Sequence, residues 1–210
     1  MKDARRPIRL PEKASTDRAA LDALLDSARV GHFAVVAEDG TPAVIPTMVV
    51  RDGDRVLAHG STGSRWMRRL ATGAPTALGV TAYDGLVVAR SAFESSIRYR
   101  SAVVFGRCTH VTEDKERFLD LVTETLIPGR NAEVRRPTKA ELAATLVLVL
   151  PLDDWSLKIS AGWPEDTDDD LAGPAWAGVV PVREVYDAPL PAPDLRGGIQ
   201  VPASVRALVD

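Results

Sequence analysis

The 210-residue chain has a single cysteine, Cys108, and three histidines. A lone cysteine excludes an internal disulfide and fits a reducing, cytoplasmic setting. Scattered as they are, these four residues do not have the spacing of a zinc site. No apolar run approaches the roughly 20 residues that span a bilayer. The charged start, Met1-Lys2-Asp3-Ala4-Arg5-Arg6, lacks the apolar stretch of a secretion signal. Excess positive charge is also missing: the formal net charge is −3, which gives no support to nucleic-acid binding. What is present is ordinary for a globular protein, with 45% hydrophobic and 26% charged residues. The length is enough to bury roughly 70% of the unfolded surface.

The pattern along the chain is one of short strands and tight turns. Pro7 to Lys13 reads as an extended arm. Ser15 or Thr16 caps a helix with Leu21, Leu24, Leu25 and Ala28 on one face, and Gly31 stops it. Asp39-Gly40, Asp52-Gly53 and Asp84-Gly85 each fall between apolar runs and signal hairpins. Arg55 to His59 is a strand, and the helix Trp66-Met67-Arg68-Arg69-Leu70 ends at Gly73. Ile97 to Val111 reads as one long strand, Glu113 to Leu126 as an amphipathic helix. Thr138-Lys139-Ala140-Glu141 is a capping box. Strands follow at Thr145–Leu152 and Trp155–Ile159. Closely spaced short strands argue for an antiparallel barrel rather than a βαβ sheet. The expectation is one domain over 1–210, with an N-terminal arm and helix (1–30) and a Pro- and acid-rich C-terminal arm (about 160–210). That arm, with Asp166, Asp168, Asp169 and Asp170, lies over the domain or a neighbouring subunit.

Four groups of residues could carry chemistry. His59-Gly60-Ser61-Thr62-Gly63-Ser64-Arg65 joins a strand to a helix with glycines, hydroxyls and a forked cation, as a phosphate cradle would. An ordinary capped turn reads the same way. In Ser91 to Ser101, alternation puts Arg98 and Arg100 on one face and Tyr99 and Ser101 on the other, which could hold a planar polar ring or form a polar strand edge. Pro46 and Thr47 interrupt an apolar strand and could leave backbone groups free for a ligand. Trp155, Lys158, Trp163 and Trp176 are packing residues or the wall of a cofactor pocket. His59 is the best proton donor; His32 and His110 read as structural. Glu94 has no second carboxylate, and Cys108 is assigned no chemistry.

Taken together, Gly31-His32-Phe33-Ala34, Val44-Ile45-Pro46, His59 to Arg65, Asp84-Gly85-Leu86-Val87, Arg90-Ser91-Ala92-Phe93 and Tyr99 to Gly106 resemble the flavin-binding split-barrel superfamily of pyridoxamine 5′-phosphate oxidase-like proteins. The likeness is strongest toward the branch of nitroimidazole-resistance reductases. It implies a mainly β (α+β) fold, a six-stranded antiparallel split barrel with peripheral helices, forming a homodimer with FMN at the interface. Ser64 and Arg65 then match the phosphate grip, Gly60 and Ser61 the ribityl edge, with His59 and Thr62 also among the cofactor-binding residues, and Pro46 and Thr47 the strand facing the flavin ring. Tyr99, Arg100 and Ser101 match the strand at its polar edge, and Trp155 with Lys158 a pair reaching across the dimer. Trp66 stands where true pyridoxamine phosphate oxidases carry a lysine, which shifts phosphate grip toward Arg68 or Arg69 and argues against a phosphorylated vitamin as substrate. The implied function is an FMN-dependent oxidoreductase using a reduced nicotinamide or deazaflavin and a small planar acceptor, with no metal. The alternative is a flavin or haem carrier or sensor without turnover.

Overall fold

The structure, a computed structural model, describes residues 10–209. The charged start and residues 7–9 of the expected arm lie outside the described residues. A short 3-10 turn at Pro11–Lys13 leads into β1 (Ala14–Ser15) and α1 (Arg18–Ser27). Next come β2 (Val30–Val36), β3 (Pro42–Met48), β4 (Val50–Asp52), β5 (Arg55–Ser61) and α2 (Arg65–Ala71). They are followed by β6 (Pro75–Val88), β7 (Ser96–Arg107), β8 (Thr109–Val111), α3 (Lys115–Leu126) and α4 (Lys139–Ala144). The chain finishes with β9 (Thr145–Pro151), β10 (Trp155–Ser160), α5 (Asp168–Leu171), β11 (Gly178–Pro181) and α6 (Ala203–Val209). The larger sheet runs β1-β10-β7-β6-β2-β3, with β11 also on β6, and the smaller runs β4-β5-β9-β8. Each pairing is antiparallel. The mainly β fold with peripheral helices is thus the expected one, although its strands are split between two sheets rather than numbering six.

Burial explains the arrangement. In β2, Gly31, Phe33 and Val35 are buried while Val30, His32, Ala34 and Val36 are exposed, the period of two that a half-buried strand requires. In β9, Leu146 to Leu150 are all buried because both faces are covered. One face meets Leu78, Val80, Val104 and Leu157 of the larger sheet, with Leu21, Leu24 and Leu25 of α1 and Met67 and Leu70 of α2. The other face, through Val147 and Val149, meets Phe118 and Val122 of α3. Each fully buried Leu or Phe contributes on the order of 1.5–3 kcal/mol.

Four expectations are corrected. The cap of α1 is Asp17, whose side chain accepts from the Ala19 N–H, not Ser15 or Thr16. Gly31 does not stop that helix, which ends at Ser27; it lies in β2, where a Cβ would meet Leu78 Cδ1 at 2.7 Å. The run from Ile97 to Val111 breaks at buried Cys108, so β8 leaves the larger sheet and pairs with β9 in the smaller one. Asp84-Gly85 is no hairpin turn. It lies inside the 14-residue β6, where the register with β7 shifts between Tyr83 and Gly85. Gly85 has φ +152°, and a Cβ there would meet the Val180 carbonyl oxygen at 2.5 Å, so the glycine admits β11.

Candidate cofactor site

Two surfaces collect the residues with chemical potential. The first is the outer face of the larger sheet. Because paired residues share a face, the registers put Ser156, Val103, Gly79, His32 and Pro46 in one row across β10, β7, β6, β2 and β3. Four strand spacings make that row about 19 Å wide. The neighbouring row on one side is Lys158, Ser101 and Thr81; on the other it is Phe105, Ala77, Ala34 and Val44. Tyr99 and Tyr83 extend the polar end. Val30, Val36 and Val44 are 50%, 51% and 65% exposed, an apolar, small-residue floor at the other end.

The second surface is the strand-to-helix junction. Ser61 Oγ accepts from Gly63 N–H at 3.1 Å, and Ser64 N–H bonds the Ser61 carbonyl at 3.0 Å, which tightens the turn. Thr62 N–H is taken by the Ala144 carbonyl. Ser64 is the N-cap of α2, yet its hydroxyl makes no cap bond and is available to a ligand. Arg65, Arg68, Arg69 and Thr72, at i, i+3, i+4 and i+7, line one wall of a cleft of about 800 Å³. Val35, Ala37, Glu38, Asp39 and Ala43 form the opposite wall, with Trp66 between. Trp66 packs on Phe33 with ring centroids 5.9 Å apart. Arg69 Nε donates to the Val36 carbonyl at 3.2 Å, tying the helix to the end of β2.

The expected site residues are therefore divided. Pro46, Tyr99, Ser101 and Lys158 share the outer sheet face, and His32, which the sequence reading took as structural, stands among them, exposed. Alternation in β2, which turns His32 away from Phe33, is the signal that could have found it. Gly60, Ser61, Thr62, Ser64 and Arg65 form the junction. His59 is not at a strand end but inside β5, opposite Val147 on the face toward α3. It is half-buried, and that burial lowers its pKa below the ordinary 6.5. Thr47 lies opposite Gly31, on the inner face. Trp155 and Lys158 are three apart in β10, so they face opposite ways: Trp155 packs against the core, and Lys158 faces outward. Arg100 is also on the inner side. It makes a two-pronged ion pair with Asp84, Nε–Oδ2 2.9 Å and Nη2–Oδ1 2.8 Å, and its pKa is raised by that bond. His110 is opposite Leu148, facing the core, and its Nε2 is buried without a hydrogen-bond partner among the described residues.

The late arm is stapled to the larger sheet. Asp166 accepts from the Arg90 N–H at 2.7 Å and from Arg90 Nη1 at 2.8 Å. Burial opposes ionisation of Asp166, but the Arg90 bonds prevail and hold its pKa below the ordinary value. Trp163 receives Arg98 over its ring at 5.1 Å, and both Trp163 and Trp176 are exposed. Among the described residues no cluster of His, Cys, Asp and Glu could hold a metal by side chains alone, and no helix is long and apolar enough to cross a membrane.

An antiparallel split barrel with an exposed sheet face and a hydroxyl–arginine junction defines a flavin-type barrel class. The sequence profile of the pyridoxamine 5′-phosphate oxidase family matches residues 17–159, and the chain belongs to that family. Over 94% of its length it is 52% identical to the FAD- and haem-binding protein of Mycobacterium smegmatis, covering 97% of that chain with a TM-score of 0.90. The flavocytochrome Anf3 of Azotobacter vinelandii is 32% identical, with 98% of this chain and 96% of that chain covered and a TM-score of 0.90. A protein assigned to 5-nitroimidazole antibiotic resistance in Bacteroides thetaiotaomicron is 16% identical over 70% of this chain and 86% of that chain (TM-score 0.59), a likeness of fold alone. No curated protein matches the chain.

Proposed function

We propose that this protein is a homodimeric flavin- and haem-binding redox protein. The observation that carries the reading is the outer sheet face: small and apolar at one end, polar at the other, with an exposed imidazole between and exposed valines among the described residues. Two copies joined through that face would bury its exposed valines and enclose a planar ring system. The M. smegmatis protein, half identical to this chain, is named for FAD and haem, and the A. vinelandii protein is named a flavocytochrome. Neither name decides this chain; its own residues must fit both groups.

They do. A flavin phosphate needs charge-assisted donors, and the Ser64 hydroxyl has no cap bond while Arg65 and Arg68 have no ion pair or side-chain hydrogen bond among the described residues. Ser101, Tyr99 and Lys158 offer polar groups toward a ring edge. An imidazole is one of the side chains that would hold a haem iron, and a largely apolar setting would suit the macrocycle. His32 stands on such a floor, beside Gly79 and Pro46, whereas His59 is half-buried over the other sheet and His110 points into the core. When bound, a flavin exchanges electrons in pairs or singly and a haem singly, so the two together couple a hydride donor to one-electron chemistry. The protein binds and orients them and supplies Lys158 as a positive charge near the ring. The donor is a reduced nicotinamide or deazaflavin, and the cytoplasm is the place such donors reach the site.

The test is an absorption spectrum of full-length protein made with haem precursor supplied, followed by anaerobic addition of the donors. Bound flavin and a Soret band, with the flavin bleached by one donor, are expected. Protein that takes up flavin and haem but is bleached by neither donor is a carrier rather than an oxidoreductase. Protein that takes up no flavin ends the reading.

A further inference from the structure

We propose that residues 183–200 form a strap that lies on a second copy of this chain. The inference rests on the homodimer reading and names the element that crosses between subunits. The segment lies beyond the family-matched residues 17–159. Both of its ends are fixed to their own subunit. At the start, β11 pairs with β6, and the Val182 N–H donates to the Asp84 carbonyl at 3.1 Å. At the end, α6 is held by Glu133, whose carboxylate accepts from the Ser204 N–H at 3.1 Å and from the Ser204 hydroxyl. Between these anchors, no hydrogen bond or ion pair among the described residues ties the strap to the domain. The Leu195 N–H meets only the nearby Ala192 carbonyl.

This stretch is not built as a solvated linker. Its charges nearly cancel, with two arginines and three carboxylates, and Val185, Tyr186, Leu190, Leu195 and Ile199 are 46–92% exposed. A segment kept in water carries fewer such side chains and more net charge. Pro189, Pro191 and Pro193 fix every second φ around Leu190, the most exposed of the set, so docking costs little entropy.

The same chain offers a surface of matching chemistry. Leu86, Ile97 and Val180 sit side by side across β6, β7 and β11, and are 44%, 44% and 46% exposed. They continue the outer sheet face, because Ile97, Tyr99, Ser101 and Val103 alternate along β7. Val30, Val36 and Val44 lie exposed at its other end. The subunit's own strap leaves both sets open, so the strap that fits them is another copy's. A twofold axis lays each strap on the apolar rim of the other subunit's outer face and buries strap and rim together. Extended, the strap spans about 56 Å, so a loop pinned at both ends reaches roughly 28 Å. That exceeds the outer-face row of about 19 Å. Two straps bring each side near the roughly 20–30 residues of a standard interface.

The test places a probe on the strap. Full-length protein carrying Cys108→Ser and Leu190→Cys is labelled with benzophenone-maleimide and irradiated at micromolar concentration. The expected product is a covalent dimer. In otherwise wild-type protein, Val185→Ser together with Leu190→Ser should raise the dimer dissociation constant at least about tenfold in sedimentation. These side chains are exposed, so the changes spare the fold. A cross-link only within one chain would overturn the proposal, because the strap would then cover its own subunit. A dimer that gives no cross-link and ignores the serines would overturn it too. That result would leave the homodimer reading standing and the strap free for a proline-recognising partner. A monomer would remove both.

Discussion

Two of the arginine-lined clefts among the described residues differ in how their charge is used. The cleft beside α3, about 610 Å³, is lined by Lys115, Arg117 and Arg136 among others. There Arg136 bonds Glu116 at 3.0 Å and also Asp120, Arg117 faces Asp52, and Lys115 Nζ donates to the Leu142 and Thr145 carbonyls. In the cleft beside α2, Arg65 and Arg68 have no such partner among the described residues. The first cleft is neutralised from within and ties α3 to its surroundings. The second keeps its charge for something else. Cationic density alone would not separate them; the hydrogen-bond accounting does.

Substitutions can break this contrast, the most disruptive first. His32→Ala is expected to abolish the Soret band while leaving the flavin spectrum, and His110→Ala to leave both; a retained Soret band would move the axial ligand elsewhere. Arg65→Ala should weaken flavin binding by at least ~1.5 kcal/mol, roughly tenfold, read by titration. An unchanged dissociation constant would make the junction a capped turn. Arg136→Ala, across the molecule, should leave flavin affinity within error and lower Tm by less than about 4 °C, because exposed ion pairs contribute little. If it releases flavin instead, the two clefts are not independent.

Two smaller effects concern buried titratable groups. The pKa of His59 is lowered by burial, so as pH falls the unfolded chain takes up that proton before the folded one. Stability should therefore be retained above pH 6.5, the ordinary value, and decline below it. Urea melts of wild type and His59→Gln at about pH 7.5 and 5.5 would show the decline shrinking in the variant. Burial pushes the Cys108 thiol up to about 12, so it should resist alkylation until the protein unfolds. Cys108→Ser should leave cofactor binding intact.

The three Asp-Gly pairs show how far the sequence could be read. At Gly40 and Gly53, with φ +85° and +60°, they form the expected turns, because the local chain supplies all that a turn needs. Asp84-Gly85 has the same letters but lies in a strand, where the demand on Gly85 comes from Val180, 95 residues further on. Nothing local encodes that contact. Within strands, period two was a sufficient guide: it placed Tyr99 and Ser101 together, opposite Arg100, and would have placed His32 outward. Applied to the three-residue interval between Trp155 and Lys158, it would also have separated that pair. The cleft beside α2 was only half legible. Its arginines follow from helical spacing, but Glu38 joins them because α2 packs against the end of β2, through Arg69 and Val36, 33 residues apart, which no local window contains.

The Asp84–Gly85 irregularity also sets an order of events during synthesis. β6 and β7 are neighbours in sequence and can pair as soon as both have emerged, whereas β11 must wait for the final quarter of the chain. At cellular elongation rates, residues 161–210 take roughly 2.5–10 s to be made. For that interval the nascent chain carries a glycine notch on β6 and an open sheet face with no arm beside it.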